Sequence, residues 1–154
     1  MSDGLTAKQN IFVDLEVTSF EELIQQIASP LIQAGDVAVE FPEQVILREK
    51  SFPTGLPTEP IGVAIPHTDA KYVNNNRVTI ATLKNPIDME IMGGMDEGTI
   101  QVSIVFLLAL GQSNKQLNIL QKLMTVLPKA ELLERLKNGT KEEIYRIAKE
   151  EIDL

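Results

Sequence analysis

The segment best suited to chemistry runs from Gly62 to Asp69, because it holds the only histidine of the chain, His67. The pattern predicts a short apolar strand, Val63 to Ile65, that Pro66 stops, since proline fixes its own φ and biases the preceding residue towards extended geometry. His67 then stands at a strand end, where a rigid element aims the imidazole and the following loop leaves its edge accessible.

Three further residues are candidates to assist His67. Thr68 and Asp69 can orient a ring nitrogen, and Arg48, one predicted helix earlier, can reach the same end of a sheet. A lone histidine is more often a surface residue or a hydrogen-bonded core residue, and an arginine near a helix end often serves only the helix dipole or the solvent. Both interpretations remain open at this stage.

Three kinds of chemistry can use one histidine. The first is general acid–base catalysis, and the second is a Ser–His–Asp set, which no Gly-x-Ser-x-Gly elbow supports in this sequence. The third is a covalent nucleophile such as phosphohistidine, which needs one free ring nitrogen, an acceptor on the other nitrogen, and a positive or N–H-rich surround. His67, Arg48 and a helix N-terminus near Ser113 can meet these needs.

The composition excludes several classes of site. The chain has 154 residues, 44% of them hydrophobic and 23% charged, which suits one globular domain. The absence of cysteine removes disulfides, thiolate nucleophiles and cysteine-bound metals, and a single histidine removes a multi-histidine metal centre. A carboxylate site for magnesium or calcium stays open, but no calcium-loop spacing is present, and we expect neither metal nor cofactor.

The charge and hydropathy of the sequence indicate which classes of binding partner and which location to expect. The net charge is −8 and the pI is about 4.7, and no basic cluster is present, which argues against nucleic-acid binding. An acidic surface favours docking to basic protein patches, or serves solubility alone. Residues 1–10 are too polar for a signal peptide, and the longest apolar run, Val102 to Leu110, is too short to span a bilayer. We therefore expect a cytoplasmic protein without membrane insertion.

The periodicity predicts an α/β fold in a single domain over residues 1–154, with a mixed parallel and antiparallel sheet of about five strands and helices on both faces. The long apolar segment should be its central strand. Residues 1–9 should be a loose tail, 51–61 a proline-rich loop, and 93–98 a loop holding Asp96 and Glu97. The predicted strands are Asn10–Val17, Val63–Ile65, Val78–Leu83, Ile87–Met92 and Thr99–Leu110, with a turn at Asn85-Pro86 between the third and the fourth. The predicted helices begin after Ser19, at Phe41, after Asn114, at Ala130 and after Thr140. The first and the last of these starts carry a capping box, Ser19 with Glu22 and Thr140 with Glu143.

The segments Arg48-Glu49, Thr54-Gly55 and Ala64-Ile65-Pro66-His67 together resemble the signature of enzyme IIA domains of the phosphoenolpyruvate-dependent sugar phosphotransferase system (PTS), in the fructose/mannitol class (type 2). The resemblance covers nearly the whole chain, and Phe52-Pro53 before Thr54 is similar to the galactitol-type branch. Many members have glycine at the position of Thr68 and a second histidine at that of Gln116. The galactitol-type branch tolerates glutamine there, and an amide donates a hydrogen bond but carries no charge.

The resemblance implies a phosphocarrier. His67 would take a phosphoryl group from the phosphocarrier protein HPr and pass it to a cysteine of a cognate IIB component, which phosphorylates the sugar as the membrane component IIC imports it. Arg48 would stabilise the phosphoryl charge, and Gln116 with nearby backbone N–H groups would donate hydrogen bonds to it. An apolar rim for the partner proteins is expected, with Ile65, Leu56 and Leu117 as candidates.

Other functions remain open at this stage. Some IIA-like domains signal through their phosphorylation state and pass nothing to a sugar. A small hydrolase using His67 as a base would need a substrate pocket, whereas a carrier needs a shallow, protein-sized site. A purely structural or binding module would tolerate His67→Ala. The transported sugar, the oligomeric state and the reactive ring nitrogen are not readable from the sequence.

Overall fold

Five strands form one mixed sheet in the computed structural model, which describes residues 4–94 and 98–154. The strands are β1 Ile11–Leu15, β2 Gly55–Leu56, β3 Gly62–Ala64, β4 Arg77–Glu90 and β5 Thr99–Ala109. Their order in the sheet is β1-β4-β5-β3-β2. Strand β5 is antiparallel to β4 and parallel to β3, while β1 is parallel to β4 and β2 antiparallel to β3. The predicted mixed sheet and its central apolar strand are thus confirmed.

Of the five α-helices in the same part of the chain, four begin where the sequence predicts, whereas the third begins at Ser113 rather than after Asn114. The hydroxyl of Ser19 accepts a hydrogen bond from the backbone N–H of Glu22 at 3.1 Å, which caps the first helix. Pro42 lies in the first turn of the second helix, where a missing N–H costs nothing. The helices are α1 Phe20–Gln33, α2 Phe41–Ser51, α3 Ser113–Val126, α4 Ala130–Asn138 and α5 Lys141–Glu150. None of them is long and apolar enough to cross a membrane.

Two hydrophobic cores lie on opposite faces of the sheet, and β5 contributes to both. Its alternate residues Ile104 and Phe106 pack with α3, α4 and α5, whereas Val105 and Leu107 pack with α1 and α2. A strand covered on both faces is apolar at successive positions rather than at every second one. The predicted helices on both faces of the sheet, and the single domain, are confirmed.

The predicted loop over 51–61 contains a strand. Gly55 and Leu56 form β2 and pair with Ala64 and Val63 of β3. Gly55 lies so close to β4 that a Cβ would be 2.5 Å from the carbonyl oxygen of Glu90, so only glycine fits. Two residues carry no readable periodicity, and for this reason the sequence pattern missed the strand.

The two predicted strands Val78–Leu83 and Ile87–Met92 are one strand, β4, which spans Arg77–Glu90. The predicted turn at Pro86 is wrong, because the chain passes through that position with a register shift between 82 and 87. A bulge interrupts the ladder, so a proline is accommodated without the loss of a hydrogen bond that a regular strand would need. The total of five strands is nevertheless matched, since β2 replaces the lost one.

Two predicted irregular segments fall partly outside the described residues. Of the predicted loose tail, residues 1–3 are not described, but Leu5 and Thr6 are held against the domain rather than loose. The N–H of Leu5 donates to the carbonyl of Leu154, and the buried hydroxyl of Thr6 donates to the carbonyl of Val78 at 2.8 Å. The loop residues Asp96 and Glu97 lie outside the described residues.

Candidate functional site

The backbone around His67 is hydrogen-bonded to the central strand, β5. The carbonyl of Pro66 accepts a hydrogen bond from Leu108 N–H at 3.0 Å, and His67 itself pairs with Leu108 in an isolated bridge just beyond β3. The ring is half-buried at the end of the sheet. The predicted strand-end position of His67 is therefore confirmed, and its main chain is rigid.

The imidazole is oriented by a backbone carbonyl. Nδ1 of His67 lies 2.9 Å from the carbonyl oxygen of Ile65, and because a carbonyl can only accept, Nδ1 carries the proton. In the neutral ring Nε2 then holds the free lone pair. The prediction that Thr68 or Asp69 orients the ring is wrong, since Ile65 makes this contact.

The ring of His67 is held neutral near pH 7. Burial lowers its pKa below the ordinary value of 6.5, the hydrogen bond to Ile65 opposes that shift, and the positive charge of Arg48 lowers the pKa further. A neutral imidazole is the nucleophilic form, because protonation would occupy the lone pair of Nε2. The environment therefore favours nucleophilic chemistry over storage of a positive charge.

Arg48, near the end of α2, lines a cavity of about 440 Å³ together with His67. Its guanidinium lies over the ring of Phe52, 4.9 Å from the centroid, and Nη1 lies 3.7 Å from the carboxylate of Asp69. Its buried Nε has no hydrogen-bond partner among the described residues. The structure thus brings the predicted pair, Arg48 and His67, together at one cavity. The cavity is lined by Arg48, Ser51, Phe52, Pro53, Thr54, His67, Met92 and Gly93.

Gln116 makes a different contact from the one predicted. Its side-chain nitrogen donates to the carbonyls of Thr68 and Leu110, both at 3.2 Å. An amide nitrogen has two N–H groups, so both donors are engaged, and one contact must break before a phosphoryl oxygen could be bound. In this structure Gln116 instead ties the loop after His67 to the end of β5 and the first turn of α3.

Glu49 and Thr54 form a contact that the sequence pattern alone did not reveal. The carboxylate of Glu49 accepts hydrogen bonds from the N–H and the hydroxyl of Thr54, both at 2.8 Å. Burial raises the pKa of Glu49 to about 7, against the two hydrogen bonds, and the charge of Glu90 raises it as well. Both residues belong to the motif that carries the family resemblance, but the motif gave them no role.

The apolar rim differs from the prediction in membership. Ile65 and Leu56 are buried in the core, whereas Leu117 is 57% exposed. Phe52, 61% exposed, and the half-buried Met92 lie at the cavity and were missed. Phe52 was within the quoted motif, so an exposed aromatic residue next to a proline was the available signal.

The family comparison places most of the chain in one family. The profile described as "Phosphoenolpyruvate-dependent sugar phosphotransferase system, EIIA 2" matches residues 5–151. The galactitol-specific EIIA component of the PTS of Escherichia coli (strain K12) is 26% identical over 129 residues, which are 82% of this chain and 85% of that protein.

Two relatives are much longer than this chain. The transcriptional regulator ManR of Bacillus subtilis is 33% identical over 99 residues, 64% of this chain. The multiphosphoryl transfer protein of Shigella flexneri is 34% identical over 116 residues, 74% of this chain. The matched regions cover only 14% and 13% of those two proteins.

Solved structures share the fold. The complex of enzyme IIAMTL and phosphorylated enzyme IIBMTL from Escherichia coli contains a chain that matches with a TM-score of 0.72 and 21% identity, over 90% of this chain and 92% of that one. The nitrogen regulatory protein IIA-Ntr of Neisseria meningitidis matches with a TM-score of 0.71 and 23% identity, over 91% and 93% of the two chains. Because the family profile spans residues 5–151, the chain belongs to the EIIA type 2 family of the phosphoenolpyruvate-dependent sugar phosphotransferase system.

Proposed function

We propose that this protein is a phosphocarrier in which Nε2 of His67 accepts a phosphoryl group and passes it to a IIB component. The observation that carries the proposal is the hydrogen bond from Nδ1 to the carbonyl of Ile65 at 2.9 Å, which leaves Nε2 with a free lone pair at a cavity shared with Arg48. Family membership supports the phosphocarrier role.

The transfer needs no separate base. The lone pair of Nε2 attacks phosphorus, an N–P bond forms on His67, and the N–P bond of the donor imidazole breaks with its electron pair returning to the donor. The ring of His67 becomes positively charged, and its Nδ1–H bond to Ile65 strengthens. In the second step a cysteine thiolate attacks phosphorus, a P–S bond forms, and the electron pair returns to Nε2.

Arg48 stabilises the phosphoryl group in this proposal. Its guanidinium belongs to a side chain that lines the cavity of His67, and donors held at a site contribute most where negative charge develops in a transition state. The ion pair with Asp69 at 3.7 Å is longer than a hydrogen bond, so the guanidinium can turn to phosphoryl oxygens. Gln116 joins the cradle only if one of its backbone contacts exchanges.

The donor we propose is HPr and the acceptor is a cognate IIB component, with IIC engaged only through IIB. Phe52 and Leu117 are exposed apolar side chains at the histidine end of the sheet, and such a rim suits two proteins that dock in turn on one face. Relatives support this: one is named a multiphosphoryl transfer protein, and one solved complex pairs a IIA with a phosphorylated IIB.

We propose that the protein belongs to the galactitol-type branch and serves, in the cytoplasm, the uptake of a galactitol-like polyol. The galactitol-specific component is similar over nearly its whole length, and Phe52-Pro53-Thr54-Gly55 and Gln116 agree with that branch. A regulatory role is supported only by the likeness to ManR and is not favoured. The cavity of about 440 Å³ at His67 would also suit a hydrolase that uses His67 as a base, but family membership supports the phosphocarrier instead.

The test is phosphorylation of the purified chain by phosphoenolpyruvate, enzyme I and HPr, followed by intact mass and phosphorus NMR. Wild type should gain one acid-labile phosphoryl group, and His67→Gln should gain none. Since His67 is the only histidine, no other imidazole can substitute. Addition of a IIB component should then discharge the phosphoryl group to its cysteine. A folded wild type that stays unphosphorylated would refute the carrier function, and phosphorylation that never reaches any IIB would favour the regulatory role.

A further inference from the structure

A continuous run of hydrogen bonds joins the carboxylate of Glu49 to the ring of His67. Glu49 accepts from the N–H and hydroxyl of Thr54, the carbonyl of Thr54 accepts from the N–H of Ile65 at 3.3 Å, and the carbonyl of Ile65 accepts from Nδ1 of His67 at 2.9 Å. We propose that Glu49 is a positioning residue for His67, which acts through Thr54 and the backbone of Ile65 to keep the proton on Nδ1. The proposal gives this contact a role in the proposed carrier function.

The segment between Glu49 and His67 is held at each link of the run. Thr54 is buried and uses its N–H, hydroxyl and carbonyl in the three contacts. Gly55 follows, packed against the backbone of Glu90 with no room for a Cβ. Phe52 and Pro53 lie between Glu49 and Thr54 in the chain and line the His67 cavity. The contact between Glu49 and Thr54 therefore also shapes the wall of that cavity.

The contact between Glu49 and Thr54 can persist in both protonation states. An ionised carboxylate accepts both hydrogen bonds, whereas a protonated one can donate to the hydroxyl of Thr54, which then serves as the acceptor. Glutamine imitates the protonated form, since its carbonyl accepts from the N–H and its amide donates to the hydroxyl. The Glu49→Gln variant therefore removes the charge and keeps the contact, while Glu49→Ala removes both.

Several charged groups face Glu49 and bear on its protonation. The pocket around it is lined by Glu21 of α1, Lys50 of α2, and Asp88 and Glu90 of β4. Burial raises the pKa of Glu49 to about 7 and the charge of Glu90 adds to the shift. A contact that survives titration is the one that suits a site required to work near neutral pH.

The test is the tautomer of His67, read from nitrogen NMR of protein labelled at its one histidine, without any phosphoryl donor. Wild type, Glu49→Gln and Thr54→Ser should hold the proton on Nδ1. In Glu49→Ala the ratio of the Nδ1–H to the Nε2–H form should fall roughly fivefold, the factor that one net hydrogen bond supplies. Thr54→Val, which loses only the hydroxyl contact, should lie between these extremes.

The matched control is Glu143→Ala, which breaks a second glutamate–threonine contact, to Thr140 N–H at 2.8 Å, on the helix α5. It should leave the tautomer of His67 unchanged. The proposal is overturned if Glu49→Ala keeps the wild-type ratio, or if Glu143→Ala lowers it equally. Should Glu49→Ala not fold, the difference between Thr54→Val and Thr54→Ser decides, and equal tautomer ratios in those two variants would overturn the proposal.

The positioning role of Glu49 and the proposed carrier function can be refuted independently of each other. If Glu49→Ala shifts the tautomer but wild type accepts no phosphoryl group, the positioning role stands and the proposed function is refuted. If wild type is phosphorylated and the tautomer is independent of Glu49, the reverse holds. Each result therefore bears on one claim.

Discussion

The molecule contains two glutamate–threonine pairs in opposite settings. The half-buried Glu49 and the buried Thr54 are linked to His67 through the backbone of Ile65, and burial raises the pKa of Glu49 to about 7. Glu143 and Thr140 form an exposed capping box at the start of α5, and the hydrogen bonds from Thr140 lower the pKa of Glu143 below its ordinary value. The same two residue types thus cap a helix in one place and, in our proposal, position His67 in the other, and the environment decides which protonation state of each glutamate is stable.

The largest difference between the two regions should come from their arginines. Arg48 lies at the His67 cavity, whereas Arg146 is an exposed charge near Glu143. We expect Arg48→Ala to slow phosphorylation of His67 by roughly 100-fold, the usual loss for one transition-state donor. Arg146→Ala should leave the rate unchanged. Rapid-quench measurement with phosphorylated HPr tests both, and equal rates in the two variants would remove Arg48 from the site.

The second prediction concerns folding stability at neutral pH. Glu49→Ala should lower the free energy of unfolding by about 1–3 kcal/mol, because the buried hydroxyl and N–H of Thr54 lose their acceptor. Glu143→Ala should cost less, since water can reach the exposed Thr140 and replace the contact. Urea unfolding followed by circular dichroism measures both, and a larger loss in Glu143→Ala would contradict the assigned environments.

The pH dependence of stability should have opposite signs for the two glutamates. Between about 4.5 and about 7 the folded state binds more protons at Glu49 than the unfolded state does, so the stability that it contributes is lost as the pH rises. Folding lowers the pKa of Glu143, so this residue contributes stability that is present above the ordinary pKa of a glutamate and is lost as the pH falls below that pKa. The urea midpoint of unfolding should be measured from pH 3 to 8. Compared with wild type, Glu49→Gln should have a midpoint that depends less on pH in the neutral range, and Glu143→Gln one that depends less on pH in the acid range.

The smallest effect expected is that of the aromatic ring beneath each cation. Arg48 lies 4.9 Å from the centroid of Phe52, and Lys149 lies 5.1 Å from that of Tyr145. An exposed cation–π contact is worth about 0.5–1 kcal/mol. Phe52→Leu, which keeps an apolar rim, should therefore slow transfer only about threefold at saturating donor. Tyr145→Leu should not slow it, and a loss there as large as for Phe52→Leu would mean that the ring contact does not act through Arg48.

Much of the fold follows from local signals in the sequence. Pro66 after an apolar run placed His67 at a strand end, an unbroken apolar segment identified β5 as the central strand, and threonine or serine with a following glutamate located helix starts. Each of these signals is physical and short-range. The sequence pattern did not predict strand β2, because a strand of two residues shows no periodicity. It also did not predict that β4 is continuous, because a proline such as Pro86 indicates a turn unless the strand contains a bulge.

The site was only partly predictable for a related reason. His67 was singled out as the only histidine of the sequence, and Arg48 as a cation on the helix that precedes the strand of His67. The group that orients the ring is a backbone carbonyl, which every residue has, so no sequence signal distinguishes Ile65. The contact between Gln116 and Thr68 joins residues 48 positions apart, and only the folded chain brings them together.

In the proposed carrier, Nε2 of His67 carries the phosphoryl group while Nδ1 keeps its proton and donates it in a hydrogen bond to the carbonyl of Ile65. The most direct measurement is the nitrogen–proton correlation spectrum of histidine-labelled protein after phosphorylation, with coupling to phosphorus identifying the bonded nitrogen. We expect one phosphorus-coupled signal, from Nε2, and a protonated Nδ1. Phosphorus bonded to Nδ1 would contradict the orientation of the ring, and a ring without phosphorus, in a protein phosphorylated elsewhere, would contradict the account as a whole.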